Sequence, residues 1–233
     1  MKKTIKFILI LSFLFNSNLF GSFIKAEEHV ERQNEYSHKK LLNQIPSRKG
    51  TVGVILVYKK DDRLYALLGK ENNEGNSEKS GRYSDFGGSV SHDGTTFLEN
   101  MLRELEEESI QTYKISQEDL LKNAFVFHTE KKDRDIFYAV YLINNSQYMP
   151  ASILNHKRSS LGDKISQEYK EKEEFLWIDI NLLLPAVKKH PQRETFAVKD
   201  IEGQTHLIKL RKYFIDDCLL QSVFENIIIS YTH

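Results

Sequence analysis

The chain has 233 residues, of which 40% are apolar and 28% charged, and its 33 basic and 33 acidic side chains leave no net charge. This is enough chain for one domain of about 150 to 200 residues with a real core, and the even charge balance argues against a broadly basic nucleic-acid-binding face. Cys218 is the only cysteine, so no intramolecular disulfide can form, and its apolar helical surroundings mark it as a small core residue.

The amino terminus has the layout of a signal peptide. A basic segment from Met1 to Lys6 precedes the apolar run FILILSFLF at Phe7 to Phe15, and polar Asn16, Ser17 and Asn18 follow. Such a run is shorter than the roughly 20 apolar residues that span a bilayer. Cleavage is predicted after Ala26, giving an exported protein, periplasmic or secreted, with no stable membrane span once the leader is removed; the alternative is an uncleaved anchor. Loss of Lys2, Lys3, Lys6 and Lys25, with no acid among residues 1–26, takes the net charge from 0 to −4.

Residues 27–50 are polar and read as an arm or linker, with a short helix through Leu41 and Leu42 that stops near Pro46. At Thr51 the character changes. TVGVILVY, the turn KKDDR and LYALLGK predict a β-hairpin rich in branched side chains. Glu71 to Arg82 (ENNEGNSEKSGR) has almost no apolar residue and reads as a solvated connector. Tyr83 and Phe86 then flank the approach to a glycine pair and are assigned to core packing.

The stretch that organises the chain is FGGSVSHDGTTFLENMLRELEEESI, Phe86 to Ile110. Thr95 or Thr96 is the expected N-cap of a helix, because a hydroxyl there accepts from a free first-turn N–H, and Glu99 follows Thr96 at capping-box spacing. Leu98, Met101, Leu102 and Leu105 fall on one stripe, the face that a helix buries against a sheet. Glu104, Glu107 and Glu108, at i, i+3 and i+4, gather three carboxylates on another strip. Like charges so placed repel by a few tenths of a kcal/mol per exposed pair, and a hard cation such as Mg2+ converts that repulsion into binding. Arg103 is one turn from Glu107 and is placed to hold a carboxylate. Gly87 and Gly88 allow the close backbone approach that a phosphate-bearing ligand needs.

This segment resembles the signature of the Nudix hydrolases, G-x5-E-x7-R-E-U-x-E-E-x-G-U, in which U is a bulky aliphatic residue. Gly88 matches the first glycine, and Arg103-Glu104-Leu105-Glu106-Glu107-Glu108 matches the R-E-U-x-E-E core without a gap. The spacing from Gly88 to Arg103 is one residue longer than in the signature. With Gly94 aligned to the loop, the signature's first glutamate falls on Thr95, and its late glycine and aliphatic positions fall on Ile110 and Gln111, so the helix is expected to run longer before it turns.

The resemblance implies an α/β/α sandwich with a mixed sheet and metal-dependent hydrolysis of a diphosphate linkage in a nucleoside diphosphate derivative. It implies Mg2+ or Mn2+ held by Glu104, Glu107 and Glu108, catalytic roles for Arg103 and those three acids, and substrate contacts at Gly87 and Gly88. The general base stays open among these glutamates, Glu130 and Glu171. The alternative is a catalytically impaired Nudix-fold module that binds a nucleotide or a protein partner, for which Thr95 in place of the acid is the motive.

After the main helix, Ser116 and Asp119 cap a short helix through Lys122. AFVFHT and DIFYAVYLI, Ala124 to Thr129 and Asp135 to Ile143, predict two more strands, and His128 on one of them is assigned a structural role. Asn144 to Lys172 is long, polar and without pattern, and is the expected place for specificity contacts. EEFLWID (Glu173 to Asp179) predicts a strand anchored by Trp177, followed by a helix over Ile180 to Val187. Phe196 to Leu210 predicts a hairpin turning at Glu202-Gly203. Tyr213 to Ile229 predicts one terminal helix whose broad apolar face, Leu219, Leu220, Val223, Phe224 and Ile227, suits burial against the sheet or a second subunit in a homodimer. No repeat or change of composition divides residues 51–233, which read as one domain.

Overall fold

The computed structural model describes residues 37–47, 49–72, 80–90, 93–131, 133–162 and 166–232. The predicted signal peptide, the first part of the predicted arm and the centre of the connector, 73–79, lie outside the described residues.

Strand β1 (Lys49–Lys60) lies at the middle of a mixed sheet. Val52, Val54 and Leu56 face one side, Ile55 and Val57 the other, and all five are buried. A strand covered on both faces reads as a continuous apolar run, as this one does. β2 (Arg63–Glu71) returns antiparallel, from Lys60 opposite Arg63 to Leu56 opposite Leu67.

There the two strands part. β1 continues against β4 (Phe86–Ser89), with Gly53 opposite Gly87 and Val52 opposite Gly88. β2 continues against β3 (Tyr83–Ser84) at Gly69 and Lys70. Asp85 is the one residue between β3 and β4, so it sits in the fork. On the other edge of β1, β6 (Arg134–Ile143) runs parallel to it and β5 (Ala124–Lys131) pairs antiparallel with β6. β7 (Lys172–Asp179) pairs antiparallel with the far edge of β2.

Helices cover both faces, giving the α/β/α sandwich with a mixed sheet that was expected. On the Val52–Val54–Leu56 side lie α1 (Phe97–Glu108), α2 (Gln117–Asn123) and α3 (Ala151–Leu161). On the other side lie α4 (Ile180–Lys189), the hairpin of β8 (Thr195–Lys199) and β9 (Thr205–Lys209), and the carboxyl-terminal segment. Leu98, Met101 and Leu105 are fully buried, and each contributes about 1.5 to 3 kcal/mol by leaving water; Leu102, on the rim of the stripe, is half-buried. Trp177 is fully buried and its Nε1 donates to the Met149 carbonyl at 2.8 Å. Tyr83 and Phe86 are buried in the core, and Cys218 is a buried thiol.

Three expectations change. Residues 37–50 do not stand apart as an arm: a helix over 37–42 buries Leu42, the Gln44 carbonyl accepts from Phe97 N–H at 3.2 Å, and β1 begins at Lys49. Asn144 to Lys172 is not structureless, since it holds α3 and a 3-10 turn over Gln167–Lys170. α3 fully buries only Ala151 and Leu154, too sparse a stripe to stand out in the sequence. The terminal helix is not continuous. It is a short α5 (Lys212–Phe214), a π turn (Ile215–Leu219), a break at Leu220 and Gln221, and α6 (Ser222–Thr232). Leu219, Phe224 and Ile227 pack against the sheet while Val223 is exposed, so the broad apolar face is covered within the chain.

Candidate active site

α1 begins with the reciprocal cap that its sequence predicts. Thr96 Oγ1 accepts from Glu99 N–H at 3.1 Å, and Thr96 N–H donates to Glu99 Oε2 at 2.7 Å. Thr95 ties the preceding loop instead: its hydroxyl donates to Asp93 Oδ1 at 2.6 Å and accepts from Asn100 Nδ2 at 2.7 Å. The helix stops at Glu108, where it was expected to run on. Ser109 is the C-cap, and Ile110 and Gln111 take φ of 56° and 53°. That left-handed conformation is disfavoured for a branched side chain. The turn that the signature's glycine would ease is thus present at Ile110 without the glycine.

With the Leu98–Met101–Leu105 stripe against the sheet, Glu104 and Glu108 are carried toward the fork, and both are buried. Arg103 bridges its neighbours, Nη2 to Glu104 Oε1 at 2.5 Å and Nη1 to Glu107 Oε2 at 2.6 Å. Glu108 turns inward. Gly87 N–H donates to its Oε2 at 2.7 Å, and Lys172 Nζ lies 3.2 Å from its Oε1. That last approach lacks hydrogen-bond geometry, so Oε1 is a buried oxygen without a hydrogen-bond partner.

Residues distant in sequence complete the cluster. Lys172 is fully buried and donates to Glu71 Oε1 at 2.7 Å and to Ser84 Oγ at 2.9 Å. Arg211 Nη1 donates to the same Glu71 oxygen at 2.7 Å. The exposed Glu171 brings a third carboxylate, and oxygens of Glu71, Glu108 and Glu171 lie within 4.8 Å of one another. Asp85, in the fork, is buried with Oδ1 unpartnered.

Of the predicted ligands, Glu108 therefore joins a group with Glu71 and Glu171, while Glu104 and Glu107 are held beside it by Arg103. Of the two outlying candidates for the general base, Glu171 is in the group, whereas Glu130 is on β5 at the far edge of the sheet. His128 pairs with Asp135 at 2.8 Å and stacks on Phe137, a structural role. Gly87 and Gly88 serve the protein's own packing: a Cβ on Gly87 would lie 2.1 Å from the Val52 carbonyl oxygen, and one on Gly88 2.6 Å from Glu104 Oε1. Glu71, Asp85, Lys172 and Arg211 went unnoticed in the sequence. The faint signal for Glu71 is an acid closing the largely apolar strand LYALLGKE.

Electrostatics follow from burial. Desolvation pushes the Glu108 carboxyl well above the usual carboxylate range; Lys172 opposes this, and Glu71, Glu104 and Asp85 add to it. Burial also raises Glu104 against the pull of Arg103. Glu71 is desolvated too, yet Lys172 and Arg211 outweigh that and hold it below its ordinary value. Burial pushes Asp85 up to about 6. The donor set fits a hard divalent cation: it is all carboxylate oxygen, it includes one buried and unpartnered oxygen on Glu108, and Glu171 opens it to water. Two surface cavities, one beside Asp119 and Tyr141 and one beside Asp61 and Asp200, are lined by none of these acids.

No family model and no curated protein matches the chain. Among solved structures, it is similar to a MutT/nudix family protein from Enterococcus faecalis at 20% identity and TM-score 0.37, covering 62% of this chain and 48% of that one, so it spans about half the length of that protein. It is similar to the NUDIX domain of Shewanella oneidensis NrtR, solved with ADP ribose, at 11% identity and TM-score 0.41, over 80% of this chain and 90% of that one. A mutT/nudix family protein from Listeria innocua gives 19% identity and TM-score 0.40, over 81% and 98%. All three neighbours are Nudix proteins. At these identities and TM-scores the likeness assigns no residue role and no substrate, so the roles in the Nudix-like segment rest on the geometry above.

Proposed function

We propose that this chain is a divalent-metal-dependent hydrolase that cleaves a diphosphate linkage in a nucleoside diphosphate derivative. Glu108 carries the reading. Its carboxylate is buried, its Oε1 has no hydrogen-bond partner, and it ends a helix whose last turn has no basic residue. Desolvation, the negative end of the helix and the neighbouring acids all oppose a charge there; Lys172, 3.2 Å from Oε1, offsets part of this, and a hard cation would offset the rest. Glu108 would hold Mg2+ or Mn2+ through Oε1, which accepts no hydrogen bond, together with the exposed Glu171, and Glu104 and Glu107 would stand on the same helix beside them.

Bound there, the ion would offset the charge of a diphosphate and lower the pKa of a coordinated water. The protein's own part is orientation. Arg103 fixes Glu104 and Glu107, and the Gly87 amide fixes Glu108. The amino-terminal leader, read as a signal peptide, would place the reaction outside the cytoplasm.

The test is a screen of nucleoside diphosphate derivatives with and without Mg2+ or Mn2+. Metal-dependent release of a phosphate-bearing product is expected, falling by more than about a hundredfold in Glu107→Gln and Glu108→Gln while both variants stay folded. Unchanged turnover in both removes these acids from the mechanism. A binding module is the second reading, favoured by Thr95 at the place of the signature's first acid; calorimetry showing nucleotide binding without turnover supports it.

A further inference from the structure

The hydrolase reading gives the fully buried Lys172 no task. Lys172 Nζ has three donors, and three oxygens surround it: Glu71 Oε1 at 2.7 Å, Ser84 Oγ at 2.9 Å and Glu108 Oε1 at 3.2 Å. Lysine is almost never fully buried unless paired, and this place is built for it. The stem crosses Gly69, where a Cβ would lie 2.8 Å from both Cγ and Cδ of Lys172. The register of β2 and β7 shifts between Lys70 and Glu71, and Glu71 is buried opposite Lys172.

Glu71 Oε1 also accepts from Arg211 at 2.7 Å and from Ser84 Oγ at 3.2 Å. Three donors thus converge on this one oxygen of Glu71, and Lys172 also faces Glu108, so the space between the two carboxylates already holds a positive charge. We propose that Lys172 is the resident cation of this cluster, filling the place between Glu71 and Glu108 that a second divalent ion would take, so that the site binds a single divalent ion, on the exposed Glu171 side of Glu108.

This rests on the metal-dependent reading, and counting ions separates the two. Mn2+ titrated into the full chain, followed by calorimetry and by the paramagnetic resonance of free Mn2+, is expected to give one ion per wild-type chain and two per Lys172→Met chain. Gly69→Ala, which pushes the lysine stem away, is expected to raise the count above one. Two ions on the wild type overturn the inference and leave the metal reading standing. No ion on the wild type overturns both. One ion on a folded Lys172→Met chain overturns the inference alone, and should that variant fail to fold, the Gly69→Ala count decides, a count of one overturning the inference.

Discussion

The amide of Gly87 donates to Glu108 Oε2 at 2.7 Å, fastening the last residue of α1 to the strand that fills the fork between β1 and β2. One bond thus sets the position of the buried carboxylate relative to the sheet. It also separates the tasks of two adjacent glycines. Gly87 must lie flat on β1, because a Cβ there meets the backbone of Val52 and Gly53, whereas a Cβ on Gly88 meets only the end of the Glu104 side chain.

Alanine at the two positions is therefore expected to fail differently. Gly87→Ala forces rigid backbone apart and lowers stability by about 1 to 3 kcal/mol or more, read as a fall in the urea midpoint. Gly88→Ala shifts Glu104, leaves the midpoint nearly unchanged, and weakens Mn2+ binding by about tenfold, the scale seen when a ligand's support is disturbed. Equal losses of stability in both variants would show that Glu104 is not the group Gly88 accommodates.

Asp85 predicts a pH dependence with a definite sign. Its carboxyl rises from the ordinary 3.8 to about 6 on folding because it is buried. Below about pH 4 both states hold the proton and nothing is lost; between about pH 4 and 6 the unfolded chain releases it first, so stability falls as pH rises; above that the full penalty, on the order of 3 kcal/mol, is in place. Asp85→Asn is expected to raise stability by about 1 to 3 kcal/mol at pH 7 and to lose that advantage by pH 4. Urea titrations of both proteins across this range measure it, and an advantage that grows toward acid pH would contradict the assignment.

What the sequence makes legible is local. The β1–β2 hairpin follows from branched residues on either side of KKDDR, and the start of α1 follows from Thr96 and Glu99, whose mutual bonds are both formed. The site is legible only where its residues are contiguous, as Arg103 to Glu108 are. Glu71 and Lys172 are 101 positions apart and meet through strand pairing and a register shift that no periodicity announces. Asp85 looks like any polar residue before a glycine until the parting of β1 and β2 encloses it. α3 was invisible because Ala151 and Leu154 alone carry its buried stripe.

The cap of α1 gives a third prediction. Thr96→Ala removes the acceptor for Glu99 N–H and the hydroxyl that donates to Glu99 Oε2 at 2.9 Å. A loss of about 1 kcal/mol is expected, with Mn2+ binding unchanged because the acids sit about two to three turns on. A parallel loss of metal affinity would mean that the loop before α1, not only its far end, shapes the cluster.

The end of α1 gives the last. Ile110 and Gln111 both hold positive φ, a conformation that disfavours a residue with a Cβ by about 1 to 2 kcal/mol. At Gln111 the side chain is exposed and donates to Tyr169 OH at 2.9 Å, a bond worth about 0.5 to 1.5 kcal/mol. Gln111→Gly should therefore be neutral or slightly stabilising, relief and loss being similar. Ile110 is buried at 2% exposure, and removing such a side chain costs about 2 to 5 kcal/mol, more than the strain it relieves. Ile110→Gly is thus expected to destabilise by about 1 to 3 kcal/mol, although the Nudix signature places glycine there. Urea midpoints of the two variants decide it, and a stabilised Ile110→Gly would mean that backbone strain, not packing, dominates this turn.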